Sequence, residues 1–269
     1  MIGHNGDVEL PIYAATPERS GGANGDGERK LVFAHGLQGL GSRAIGGNKP
    51  LVDAGWSVAC FDQRGHGDAT PTYDASGYDA DAMGADLWAV ADAVGFDRCW
   101  IGGGSMGAAT SFRAALQQPE RVEGLIQVCP ALWTSEHQAV WLFDQIANQL
   151  RDEGVDGLIE LWKKFMAQVG ATDEQLAFLD DLRLHDPKSL ECALRNVPRW
   201  VFADAERDFA TFDFPVVVVC WDGDYIHPFD TGRSTAAAAK VDPVEVDFAK
   251  VQADPLFVAS VLADELRSR

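Results

Sequence analysis

The sequence is short of positive charge. Only 22 lysines and arginines stand against 41 aspartates and glutamates, for a formal net charge of -19. That balance argues against nucleic acid and anionic membrane as partners, since both present dense negative charge. A small-molecule substrate, preferably not an anion, is expected instead. Cysteine is sparse and unpaired in pattern: Cys60, Cys99, Cys129, Cys192 and Cys220 form no C-x-x-C motif, and four of the five lie in apolar, strand-like runs. They read as small buried hydrophobes rather than as a disulfide or zinc framework. No basic N-terminal run leads into an apolar stretch, no segment is apolar for the roughly 20 residues a membrane helix needs, and no internal repeat is present. A reduced, cytoplasmic chain is expected, with no metal and no organic cofactor implied.

What the sequence has is apolar strand material in quantity. Its 269 residues are 46% hydrophobic, enough for one large α/β domain carrying an insertion. The central stretch is 99–111, in which an apolar strand runs into Gly103-x-Ser105-x-Gly107 and then into an alanine-rich helix. Such a frame forces the serine into a strained bend that lifts its hydroxyl out of the sheet, with glycines where strand and helix must approach. A serine N-cap at a glycine-rich turn would share the pattern, so its context decides.

Other stretches supply that context. A strand at 29–34 leads into His35-Gly36-Leu37-Gln38-Gly39, a loop able to present backbone amides to an oxyanion. The amides assigned to that role are those of Leu37 and of Met106, the residue after Ser105. His35 reads as an anchor of its own loop. A helix is expected over 44–55 and a strand over 56–61, followed by the tight turn Asp62-Gln63-Arg64-Gly65-His66-Gly67. There an Asp62–Arg64 ion pair would brace the bend, with His66 structural. Helices are expected at 78–94 and 108–118 and strands at 7–15, 120–130 and 215–221, with a loop at 16–27. Near the C-terminus a helix at 231–239, a strand at 243–248 and a closing helix at 255–266 complete the pattern.

The His35-Gly36, Asp62–Gly67 and Gly103–Gly107 motifs, in this order and spacing, resemble the α/β-hydrolase fold superfamily over nearly the whole chain. The resemblance implies a mostly parallel sheet flanked by helices, a core at 1–133 and 210–269, and a helical cap at 134–209. The cap's aromatic residues, Trp141, Phe143, Trp162, Phe165, Phe178, Trp200 and Phe202, are read mainly as its own core. It also implies a carboxylate on the turn after the 215–221 strand, where Asp224 fits and Asp222 reads as a turn residue. The sequence departs from the family at one position. The general-base histidine belongs in the loop after the last strand, here 248–254, yet no histidine follows His227.

Four arrangements are open. The base can have moved to His227, three residues beyond Asp224 on the same turn. Lys250 can form a Ser–Lys pair, although beside Asp224 it fits better as that residue's salt-bridge partner. His35 can serve from the oxyanion loop. Alternatively, the fold can have lost its triad and act as a lyase, cyclase, isomerase or ligand-binding protein. The expected function is that of a serine hydrolase acting through Ser105, Asp224 and His227 on a small to medium, partly apolar carboxylic ester or lactone. An aspartate at position 105 would have pointed to an epoxide hydrolase or a dehalogenase; serine points away from both.

Overall fold

The computed structural model describes residues 1–17, 29–132, 134–135, 139–168, 176–224 and 226–268. Its described residues form an eight-stranded sheet: β1 (Ile2–Asn5), β2 (Val8–Ala15), β3 (Arg29–Ala34), β4 (Trp56–Phe61), β5 (Cys99–Gly104), β6 (Val122–Val128), β7 (Val216–Cys220) and β8 (Val244–Glu245). The order is β1-β2-β4-β3-β5-β6-β7-β8. The first two strands pair antiparallel, as do β2 and β4, whereas every pairing from β4 through β8 is parallel. This is an α/β-hydrolase fold. The long apolar runs dictate it: β4 and β7 are buried at every position, which requires a sheet covered on both faces.

Alternation along each strand divides the core in two. Val32, Val216 and Val218 face one side with Leu87 and Trp88 of α3 (Ala80–Ala93) and Phe112 of α4 (Met106–Gln117). Leu31, Val217 and Val219 face the other with Leu51 and, near the C-terminus, Leu262. The stretch at 44–55 is two short helices, α1 (Gly41–Gly47) and α2 (Lys49–Asp53), not one. Pro50 explains the break, because it has no N–H to continue the first helix. The 16–27 loop falls almost wholly outside the described residues.

Between β6 and β7 the chain leaves the sheet for α5 (Val140–Gln168), broken at Gly154 (φ 70°), and α6 (Pro187–Asn196), followed by the short α7 (Ala205–Phe209). Phe143, Ile146, Leu158 and Leu190 form a separate apolar cluster there. Trp141 is exposed, and Phe202 joins the main core against Phe112 at 5.9 Å. The side chain of Phe178 lies outside what is described. After β7 come α8 (Phe229–Ala238), α9 (Phe248–Ala253) and α10 (Phe257–Glu265). The stretch expected as a loop at 248–254 is thus mostly helix, capped by the Asp247 carboxylate on the Ala249 amide at 2.9 Å. No helix among the described residues is long and apolar enough to cross a membrane.

The glycines of the 103–107 frame have a packing reason. A Cβ at Gly107 would overlap the backbone of Ala34, and one at Gly103 the backbone of Gly107. Both neighbours are main chain and cannot step aside. Gly107→Ala is therefore expected to lower unfolding stability by about 3 kcal/mol or more, read from urea denaturation; a loss below ~1 kcal/mol would mean that β3 and α4 are not locked together here.

Candidate active site

Three loops meet at the carboxyl ends of parallel strands, where open α/β sheets form their crevice. Ser105 follows β5 directly, at φ 54° and ψ -116°. A non-glycine residue in that region stores roughly 1–3 kcal/mol of strain. Backbone hydrogen bonds impose it: the Ser105 amide donates to Val128 O at 2.9 Å, and Ser105 O accepts from the Ala108 amide at 3.0 Å. The hydroxyl is thereby held at the N-terminus of α4.

From the β7 turn, His227 Nε2 lies 2.8 Å from Ser105 Oγ, and His227 Nδ1 lies 2.8 Å from Asp224 Oδ2. Three residues of spacing suffice because the carboxylate organises the turn it sits on. Asp224 Oδ1 accepts from the Ile226 amide at 2.8 Å and the His227 amide at 3.2 Å. Its Oδ2 also accepts from the Trp221 indole at 3.2 Å. Burial alone would raise the Asp224 carboxyl, but the bond and charge of His227, with the Ile226 amide and Trp221 indole, outweigh it and hold the group below its usual range. Asp224 therefore stays ionised at neutral pH. Asp222 accepts from the Gly223 amide at 2.7 Å and takes no part.

Lys250 is not the partner of Asp224. It sits on α9, with its ammonium over the Phe257 ring at 5.8 Å. His35 is also ruled out as the base, because both ring nitrogens are engaged. Nε2 accepts from the Gln63 amide at 3.0 Å, which leaves the proton on Nδ1 to donate to Gly36 O at 2.7 Å. Burial lowers its pKa to about 4.

The 62–67 turn is braced differently from expectation. Arg64 reaches α3, where its Nε and Nη2 each lie 2.6 Å from an Asp86 oxygen. Asp62 instead accepts from the Gly41 amide at 2.7 Å and the Asp68 amide at 3.1 Å. A planar guanidinium needs a carboxylate that faces it side-on, and a helix facing the turn supplies one where a neighbour two residues away does not. His66 is fully buried, with Nδ1 on Arg64 O at 3.1 Å.

The 35–39 loop lies against the serine: a side chain at Gly36 would come within 3.5 Å of Ser105 Cβ. Gln38 was not singled out from the sequence, yet it is held at φ 67° from two sides. Trp162 Nε1 of α5 donates to its side-chain oxygen at 3.1 Å, and His185 Nε2 donates to its carbonyl at 3.2 Å. Its position inside the His35–Gly39 motif was the available signal, but both partners are more than 100 residues away. Ser105, Leu37, Met106 and His227 line one cavity of about 130 Å³, walled by Phe143, Trp162, Val197, Pro198 and Ile226. Among the described residues of its lining there is no lysine, arginine or carboxylate.

The described residues contain one set able to offer a metal three ligands: Cys129, Asp224 and His227, with ligand atoms within 4.8 Å of one another. They fit a metal poorly. Asp224 and His227 already bond each other, and burial pushes the Cys129 thiol up, away from the thiolate a metal needs.

This chain belongs to the α/β hydrolase fold family, whose model it matches over residues 30–216. A non-heme chloroperoxidase, CPO-A1 from Kitasatospora aureofaciens, is 26% identical over 77% of this chain and 79% of its own. Among solved structures, a thermophilic esterase from Thermogutta terrifontis superposes with a TM-score of 0.77 at 18% identity, covering 97% of this chain and 94% of its own. The enol-lactonase of Burkholderia xenovorans LB400 gives 0.74 at 21% identity, covering 97% and 99%. At these identities the likeness speaks for the fold.

Proposed function

We propose that the protein is a serine hydrolase that cleaves small to medium, partly apolar carboxylic esters or lactones through an acyl-enzyme on Ser105. The observation that carries this reading is the continuous relay from Ser105 Oγ to His227 to Asp224, each contact 2.8 Å. His227 Nε2 takes the hydroxyl proton as Oγ attacks the carbonyl carbon. The amides of Leu37 and Met106 stabilise the developing oxyanion, and they cost little reorganisation because their loops are already fixed. His227 then gives its proton to the departing oxygen, and water repeats the cycle on the acyl group. Asp224 fixes the ring's tautomer and stabilises the imidazolium.

The stretch at 134–209 acts as the cap, since it supplies Phe143, Trp162, Val197 and Pro198 to the cavity wall. The described lining is uncharged and mostly apolar, which favours neutral substrates, and the net charge of -19 works in the same direction. That an esterase and an enol-lactonase share the fold is in keeping with this choice. The test is turnover of a chain-length series of p-nitrophenyl esters, together with labelling by a fluorophosphonate. Labelling at Ser105 and a loss of about 10³-fold or more in Ser105→Ala are expected. A protein that neither turns over esters nor takes the label would instead belong with the non-hydrolytic members of the fold.

A further inference from the structure

A second cavity, of about 330 Å³, adjoins the one that holds the serine. The two share Trp162 and Ile226 as common wall. Leu142, Ile146, Leu161 and Phe165 make its remaining apolar surface, while the amides of Gln145, Asn148 and Gln149 add neutral polar groups. Among the described lining residues Asp152 is the one that is charged, and none is cationic.

The chemistry of acyl transfer assigns this space to one half of the substrate. When the tetrahedral adduct collapses, the bond from carbonyl carbon to alcohol oxygen breaks and its electron pair stays on that oxygen. The oxygen takes its proton from His227 Nε2, while the acyl group remains on Ser105 Oγ. The alcohol oxygen must therefore lie within hydrogen-bond reach of His227, and its chain must leave along the residues beside that ring. Ile226 is the adjacent residue, and it forms part of the wall of both cavities.

Accepting Ser105 hydrolysis as above, we propose that the second cavity receives the alcohol portion of the substrate, so that the preferred esters join a short acyl group to a longer, uncharged, apolar alcohol. The asymmetry in volume, about 330 against 130 Å³, sets which half is larger. An anionic alcohol is disfavoured by Asp152, and the amides suit a hydroxyl or ether within an otherwise apolar chain.

Two ester series separate the halves: acetates from methyl to hexyl, and methyl esters from acetate to octanoate. Specificity, kcat/KM, is expected to rise at least about tenfold along the first and stay flat or fall along the second. Gln145 is exposed, so Gln145→Trp can crowd the second cavity without disturbing the core. It is expected to erase most of the rise along the alcohol series. A rise along the acyl series that Gln145→Trp removes would overturn the assignment, as would an alcohol preference that Gln145→Trp does not touch. Binding of 1-hexanol to the Ser105→Ala protein, followed by saturation-transfer NMR, is independent of turnover and is expected to weaken at least about fivefold in Gln145→Trp. No hexanol binding would overturn the cavity assignment even in an active esterase. Gln145-dependent hexanol binding without cleavage of either series would support that assignment and overturn the hydrolytic reading instead.

Discussion

His227→Ala is expected to lower kcat by about 10³ to 10⁴-fold with KM within a few fold of wild type, because a serine hydroxyl is a weak nucleophile once its base is gone. The variant should fold, since the His227 side chain is 20% exposed and belongs to no core cluster. Combining it with Ser105→Ala should add almost nothing, because the two groups act as one unit. Asp224 needs two substitutions to read. Its Oδ1 holds the Ile226 and His227 amides while Oδ2 holds the imidazole. Asp224→Asn keeps an acceptor for the turn and loses the charge; Asp224→Ala loses both and should be the slower enzyme. Lys250→Ala should stay within about twofold of wild type, as its ammonium faces Phe257 rather than the relay. Retention of full rate by His227→Ala, measured on the best p-nitrophenyl ester, would show that the 2.8 Å contact is not the proton path.

Most elements were legible in the sequence; most side-chain partners were not. The 99–111 stretch announced itself because the Gly103 and Gly107 positions must be empty for Ala34 to pass. The apolar runs of β4 and β7 announced a two-sided sheet for a similar reason: burial on both faces leaves no polar alternation to confuse the pattern. The placing of His227 by Ser105 could be anticipated because both lie at strand ends whose order the fold fixes. Ion-pair partners could not. Arg64 was expected on Asp62, its near neighbour, and found Asp86 on α3 instead, because guanidinium geometry and burial select the partner. Lys250 was expected on Asp224, yet the segment carrying it folds as helix α9 and turns it toward Phe257. Gln38 likewise showed nothing of Trp162 and His185, since contacts across 124 and 147 residues exist only after the chain has folded.

Acid should unfold this protein through its histidines before it protonates the relay carboxylate. His35, His66 and His185 stack edge to face in a row, with ring centroids 5.2 and 5.4 Å apart, beside the loop that carries Leu37. Burial is the first cause that lowers all three, and the neighbouring rings push His66 further down. The sign follows directly. An unfolded histidine protonates near pH 6.5 while folded His35 waits until about 4, so between those values the unfolded chain holds the extra proton and stability falls as pH falls. For His35 alone the full interval is worth about 3 kcal/mol, and the other two add in the same direction. A typical domain has only about 5–15 kcal/mol in total. Urea midpoints are thus expected to drop steeply from pH 7 to pH 4.5. His66→Asn should flatten that slope, because Nε2 of His66 has no hydrogen-bond partner among the described residues and the substitution removes one of the titrating rings. Activity should follow the same curve, since the carbonyl of Gln38, next to Leu37, is held by His185. A urea midpoint that stays constant from pH 7 to pH 4.5 would mean that these rings carry protons in the folded protein, and the row would then be a solvated cluster rather than part of the core.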